Sequence, residues 1–146
     1  MLVSQKRIFV EFGECGPAGI VYTPQYMMWF DACTTALFEN AGLPLDSLFQ
    51  EQGVIGIPIV KLETRFLTPS TYGDELLAQS TVNRWGESSF VVHHVFSKDG
   101  VSVVEGFETR VWTERDPHHP ERVRSRPLPP EVVNCLSVPR TVVAAT

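Results

Sequence analysis

Glu11-Phe12-Gly13-Glu14-Cys15-Gly16-Pro17-Ala18-Gly19-Ile20-Val21-Tyr22-Thr23-Pro24-Gln25-Tyr26 carries the chain out of a strand, through a glycine-broken loop, and into a long apolar helix. Thr23-Pro24 is a helix start. A threonine hydroxyl can accept from the early helical N–H groups, and proline suits the first helical position because its missing N–H would have been unpaired there anyway. The unpaired N–H groups of that end carry partial positive charge, which suits an oxygen gaining negative charge more than a neutral one. An ordinary capped helix begins in the same way, so the loop in front decides what the junction is for.

Upstream, residues 7–12 alternate as a strand with Ile8, Val10 and Phe12 on one side, and Gly13 ends it. Downstream, the helix is predicted from Pro24 to about Ala41, closed by Gly42 as a left-handed cap and by Pro44 beyond it. Apolar residues cover most of its circumference, which predicts a helix buried all round. A polar connection around Asp46 to Gln52 leads to four strand candidates: Ile57 to Leu67, Glu75 to Trp85, Ser88 to Ser97 and Val101 to Thr113. Their connections are hairpin-sized, and Lys98-Asp99-Gly100 carries the Asp-Gly turn signal. One buried helix followed by an antiparallel meander gives an α+β structure in which the sheet wraps the helix. A last short strand is expected around Arg122 to Arg126, and Pro127, Pro129 and Pro130 then punctuate the chain. The expectation is a single domain over 1–138 with a loose tail over 139–146.

With 146 residues, 43% hydrophobic and 20% charged, the chain has the make-up of one ordinary globular domain. A net charge of −5 argues against non-specific binding to nucleic acid or to an anionic membrane. Cys15, Cys33 and Cys135 are an odd number without C-x-x-C spacing, which fits neither a disulfide framework nor a structural zinc site. A reducing cytoplasm is the expected compartment, since neither a signal-peptide run nor a membrane-length apolar run is present.

The loop resembles the active-site segment of the 4-hydroxybenzoyl-CoA thioesterase family, whose members have the hot dog fold. In that family it reads approximately F-G-D-C-D-P-A-G-I-V-x-x-P-x-Y, matched here by Phe12, Gly13, Cys15, Pro17, Ala18, Gly19, Ile20, Val21, Pro24 and Tyr26. The likeness continues through Trp29-Phe30-Asp31-Ala32, Gly42-Leu43-Pro44, Gly53 to Val60, Tyr72-Gly73-Asp74, Trp85, Ser89-Phe90 and Glu121 to Arg124. It runs from about residue 7 to about residue 136, so the resemblance implies a hot dog fold in which an antiparallel sheet wraps one long central helix. It also implies a homodimer or homotetramer, because hot dog domains build their sites between subunits.

One departure stands out. The family's catalytic aspartate falls on Gly16, while the first acid of the triplet is kept as Glu14. A glycine can neither attack a thioester nor activate water, and general acid–base help is worth about 10²- to 10⁴-fold. Three explanations stay open: Glu14 reaches in, the chain binds acyl thioesters without hydrolysing them well, or the glycine is a change that traps substrate.

The resemblance implies that Thr23 donates its backbone N–H to the thioester oxygen. It also implies that Asp31 reads the para-hydroxyl of a 4-hydroxybenzoyl group, and Tyr22, Tyr26 and Trp29 can line the acyl pocket. Glu14 serves equally well as a loop acid that caps, Asp31 as a carboxylate in a structural hydrogen bond, and the aromatics as plain core. For the coenzyme, Gly86-Glu87-Ser88 replaces the family's basic run after Trp85, leaving Ser89, Arg122 and Arg124 as candidates beside Arg126. Each of these is also an ordinary surface residue. His93 and His94 point to opposite faces of a strand, and His118 and His119 lie between prolines, so no metal is expected. The expected activity is acyl-CoA thioester hydrolysis without a cofactor, on an aromatic or short acyl group; the alternative is a non-hydrolytic acyl-thioester binder or inactivated variant.

Overall fold

The computed structural model describes residues 1–51 and 53–144. β1 (Val3–Phe9) leads through a single 3-10 turn (Phe12–Glu14) to α1 (Thr23–Asn40), α2 (Leu45–Glu51) and the short β2 (Val54–Gly56). β3 (Ile59–Phe66), β4 (Glu75–Trp85), β5 (Ser89–Lys98) and β6 (Val101–Val111) follow; only β4, β5 and β6 form an antiparallel meander, because β3 crosses over to pair with β6 instead of β4, which corrects the expected four-strand meander. β7 (Thr113–Arg115), β8 (Val123–Ser125), α3 (Pro130–Ser137) and β9 (Thr141–Val143) complete the chain. The main sheet has the order β3-β6-β5-β4-β1-β9, antiparallel except for the β1–β9 pair, and β2-β7-β8 form a second small sheet.

The sheet wraps α1 because one face of each central strand is apolar. Leu76, Ala78 and Val82 of β4, Phe90, Val92 and Phe96 of β5, and Val104 of β6 are buried against Phe30, Leu37 and Phe38 of α1. The β5–β6 turn places Asp99 and Gly100 at φ 48° and 79°, the left-handed backbone that a tight hairpin needs. Burying this much aliphatic and aromatic surface is the main source of stability, at about 25 cal/mol per Å².

Four further expectations change. α1 is not buried all round: Met28, Asp31, Ala32 and Glu39 recur at helical spacing on an exposed stripe. Thr23 is its first residue, with Tyr22 at the cap and no side-chain cap bond. Phe12 does not continue β1 inward but stands 79% exposed on the 3-10 turn, edge-on to Tyr72 at 5.8 Å. Residues 141–143, expected in a loose tail, are held as β9 by parallel pairing with Val3 to Gln5.

Candidate active site

The start of α1 leaves one donor free. Tyr22 N–H is bound to Glu14 O at 2.9 Å, Pro24 has no N–H, and Gln25 N–H is bound to Tyr22 O at 2.8 Å. The Thr23 N–H between them meets no acceptor among the described residues. Thr23 lines a cleft of about 220 Å³ with Ile20, Val21, Tyr26, Phe66, Leu67 and Ser70. Two segments are stitched together to form it, by Val21 N–H to Ser70 O at 2.8 Å and by a bridge between Ile20 and Thr71. An unpaired amide at a helix N-terminus carries partial positive charge and is a donor suited to a developing oxyanion, and Thr23 presents it at the exposed edge of this cleft.

Tyr26 is buried, and burial pushes its phenol above the ordinary range, so it stays protonated at neutral pH. The Ser70 hydroxyl beside it is buried as well and has no partner of hydrogen-bonding geometry among the described residues. Tyr22 stands 62% exposed, whereas Trp29 is packed between Tyr26 and Phe96 and does not line this cleft.

The loop acids are placed less favourably. Glu14 accepts the Glu11 N–H at 2.7 Å, so its carboxylate turns back over the 3-10 turn instead of toward Thr23. Gly16 is fixed in a turn, its N–H on Ile20 O at 2.8 Å and its carbonyl accepting Gly19 N–H at 2.9 Å. A β-carbon on Gly16 would meet nothing closer than Ile20 O at 4.0 Å. A side chain there would enter open space.

Asp31 occupies a different cleft, of about 500 Å³, whose walls include Leu45, Phe49, Ile57 and Pro58. Its side chain is 70% exposed, and Oδ1 accepts from Arg110 Nη2 at 2.9 Å. Eight helical residues separate it from Thr23, about 12 Å along the axis at 1.5 Å each.

A model of the thioesterase-like superfamily matches residues 10–136, nearly the whole described chain. This chain belongs to the thioesterase-like superfamily. It is 34% identical over 142 residues to 4-hydroxybenzoyl-CoA thioesterase of Pseudomonas sp. (strain CBS-3), covering 93% of this chain and 97% of that protein. It is 33% identical over 104 residues to 1,4-dihydroxy-2-naphthoyl-CoA hydrolase of Synechococcus sp. (strain WH7803), covering 67% and 68%. A crystal structure of a point mutant of 4-hydroxybenzoyl-CoA thioesterase, complexed with 4-hydroxybenzoyl-CoA, superposes with a TM-score of 0.86 at 31% identity, covering 92% of this chain and 99% of that one. The thioesterase-like chain therefore has the hot dog fold, and it is an acyl-CoA thioesterase-like hydrolase by family.

The residues expected to meet a coenzyme in this thioesterase-like domain lie on β5, on β8 and just before β8. Ser89 opens β5, with its carbonyl accepting Gly86 N–H at 2.7 Å. Arg124 is paired with Glu114 at 2.9 Å, while the side chain of Arg122 is 70% exposed and stands 3.9 Å from Glu121. Among the described residues no three His, Cys, Asp or Glu side chains gather as a metal site, and no helix is long and apolar enough to cross a membrane.

Sequence reasoning missed the polar core behind Asp31. Glu108 Oε1 accepts from Thr34 Oγ1 at 2.6 Å, and Oε2 accepts from Arg110 Nη2 at 2.9 Å. His94 Nε2 lies 2.8 Å from Glu108 Oε1, and Ser80 Oγ lies 2.7 Å from Nδ1. Since an ionised carboxylate only accepts, Nε2 carries the proton and Nδ1 accepts from Ser80. Burial alone would raise the Glu108 carboxyl, but hydrogen bonds and charge from His94 and Arg110 outweigh it and hold it down to about 2. Burial holds His94 below its ordinary value despite Glu108. The signal was present in the strand: Val104, Gly106, Glu108 and Arg110 share one face of β6, so two charges fall on the side that carries the core.

Proposed function

We propose that this chain hydrolyses an aromatic acyl-CoA thioester whose carbonyl oxygen is bound by the Thr23 N–H. The free amide facing an apolar cleft carries this reading, because it is the group that a thioester gaining negative charge needs. Water attacks the carbonyl carbon, the C–S bond breaks, and the departing thiolate takes up the proton that the water loses. Products are the carboxylic acid and the free thiol.

The aromatic acyl group is supported by the names of the relatives, which act on hydroxylated benzoyl and naphthoyl thioesters. A homodimer or homotetramer is part of the proposal. β3 is a sheet edge with Ile59, Val60, Leu62 and Phe66 exposed, an apolar border that a second copy would cover. Arg122, Arg124 and Ser89 are the proposed contacts for a coenzyme arm, with Arg124 having to leave Glu114 to make one. Three free cysteines fit a reducing compartment, and the cytoplasm is the proposed location. Neither nucleic acid nor membrane is a proposed partner of this acidic chain.

One observation favours a second reading, a non-hydrolytic acyl-thioester binder: Gly16 brings no acid, and the Glu14 carboxylate is spent on Glu11 N–H. Turnover of 4-hydroxybenzoyl-CoA by the native chain, Glu14→Gln and Gly16→Asp separates the two. A native rate above background that Glu14→Gln abolishes assigns the base to Glu14. A silent native chain that Gly16→Asp makes active identifies a binder with an intact site, and a Gly16→Asp chain that neither binds nor hydrolyses the thioester ends both readings.

A further inference from the structure

Ser70 holds a hydroxyl that the fold itself does not use. It lies in the β3–β4 connection at 1% exposure, and its Oγ has no hydrogen-bond partner among the described residues. Buried hydroxyls are rarely left so. The residue is pinned to the loop before α1, since its carbonyl accepts Val21 N–H at 2.8 Å, and it lines the same cleft as Thr23. Its polar neighbour there is the Tyr26 phenol, beside which Ser70 sets both its hydroxyl and its backbone N–H.

Tyr26 links that hydroxyl to the Thr23 amide. It follows Thr23 by three residues, less than one turn and about 4.5 Å along the axis, and helical side chains lean back toward the N-terminus, so its ring is carried toward Thr23. The ring is held between Trp29, with centroids 5.4 Å apart, and Phe66, at 5.6 Å. Burial is the largest influence on the phenol and keeps it protonated, so it has one O–H to donate and lone pairs that can accept from Ser70.

We infer that the Tyr26 O–H is a second donor to the thioester oxygen, beside the Thr23 N–H, and that Ser70 is the positioning residue that points it there. The Ser70 hydroxyl donates to the phenol oxygen, which turns the phenol hydrogen away from Ser70 and into the cleft. No proton is transferred: a neutral donor stabilises an oxygen gaining negative charge by hydrogen bonding alone. The inference rests on the thioesterase reading above and adds to it a side-chain donor in a site where Gly16 brings no acid.

The test compares two non-hydrolysable thioethers of CoA by titration calorimetry: phenacyl-CoA, which carries a ketone oxygen, and phenethyl-CoA, which has none. The native chain should prefer the ketone. Tyr26→Phe keeps the ring and deletes one donor, so the preference should shrink by about 2- to 10-fold, the worth of one hydrogen bond. Ser70→Ala should shrink it in the native chain and leave it alone in Tyr26→Phe, because a positioning residue acts only through the group it positions. A loss of packing weakens both analogues in parallel without moving their ratio, and circular dichroism checks the fold of each variant. An unchanged ratio in folded Tyr26→Phe overturns the inference while the Thr23 reading stands, and an equal Ser70→Ala loss in both backgrounds removes Ser70 from it. A native chain that binds neither analogue, or binds both alike, ends the thioesterase reading and the inference with it.

Discussion

Gly106→Ala puts a single methyl group where the sheet comes closest to α1. Gly106 is opposite His94 in the β5–β6 register, and a β-carbon there would stand 2.6 Å from Phe30 Cζ, 2.7 Å from Cε2 and 3.2 Å from Cε1. Carbon atoms settle at roughly 3.5 to 4.0 Å, so the overlap is close to 1 Å. The ring has nowhere to retreat: Phe30 is fully buried, stacked on His94 at 4.9 Å and set edge-on to Phe96 at 5.2 Å. Overpacking of this kind costs about 1 to 3 kcal/mol, which for a chain of this size lowers the melting temperature by about 2 to 12 °C. Thermal melts at fixed protein concentration measure it. Phe30→Leu removes the obstructing ring, so the double variant should lose less stability than the two single losses added together. A Gly106→Ala chain as stable as the native one, or a double variant that is merely additive, would show that the ring and the strand are not in contact as described.

Two further outcomes follow from the buried groups. His94 is held below its ordinary 6.5 and Glu108 below its ordinary 4.5, so both add stability that is complete above those values and drains away as the pH falls. Urea midpoints should therefore decline from about pH 6.5 downward and again from about 4.5 toward 2. In His94→Gln the first decline should be missing, and its persistence would assign it to another group. Burial pushes the Cys33 thiol up to about 12, so iodoacetamide at pH 8 should alkylate the half-buried Cys15 well before Cys33 in the folded chain. Equal labelling of the two by peptide mass spectrometry would contradict the burial of Cys33.

The long helix and the β4-β5-β6 part of the meander were legible because their signals are local, whereas the place of β3 beside β6 was not, since that pairing joins strands far apart in the chain. Thr23-Pro24 and Gly42 bracket α1 within a residue, and β4 falls on its predicted limits, Glu75 to Trp85. α2 was hidden because Asp46, Ser47, Gln50 and Glu51 make it read as a polar connection, although Leu45, Leu48 and Phe49 pack on the core. α3 was hidden by its prolines, of which Pro130 starts a helix instead of preventing one. β9 has no periodicity long enough to read, and its place comes from pairing with a strand far away in the chain. Of the candidate site, Thr23 could be found because a backbone donor depends on where a helix starts. Arg110 was missed although the alternation of β6 puts it on the face of Val104, Gly106 and Glu108, because an arginine in a strand ordinarily marks the solvent face.

Thr23→Pro is the direct test of the amide on which the proposed function rests. Tyr22 already has the extended backbone that a following proline requires, and the first turn of a helix tolerates proline, so the change deletes one N–H that no group among the described residues uses. The measurement is the infrared carbonyl stretch of carbon-13-labelled 4-hydroxybenzoyl-CoA bound to the native and variant chains. A stretch lowered on the native protein that returns toward its free value in folded Thr23→Pro places the thioester oxygen on Thr23; the same frequency in both chains puts it elsewhere.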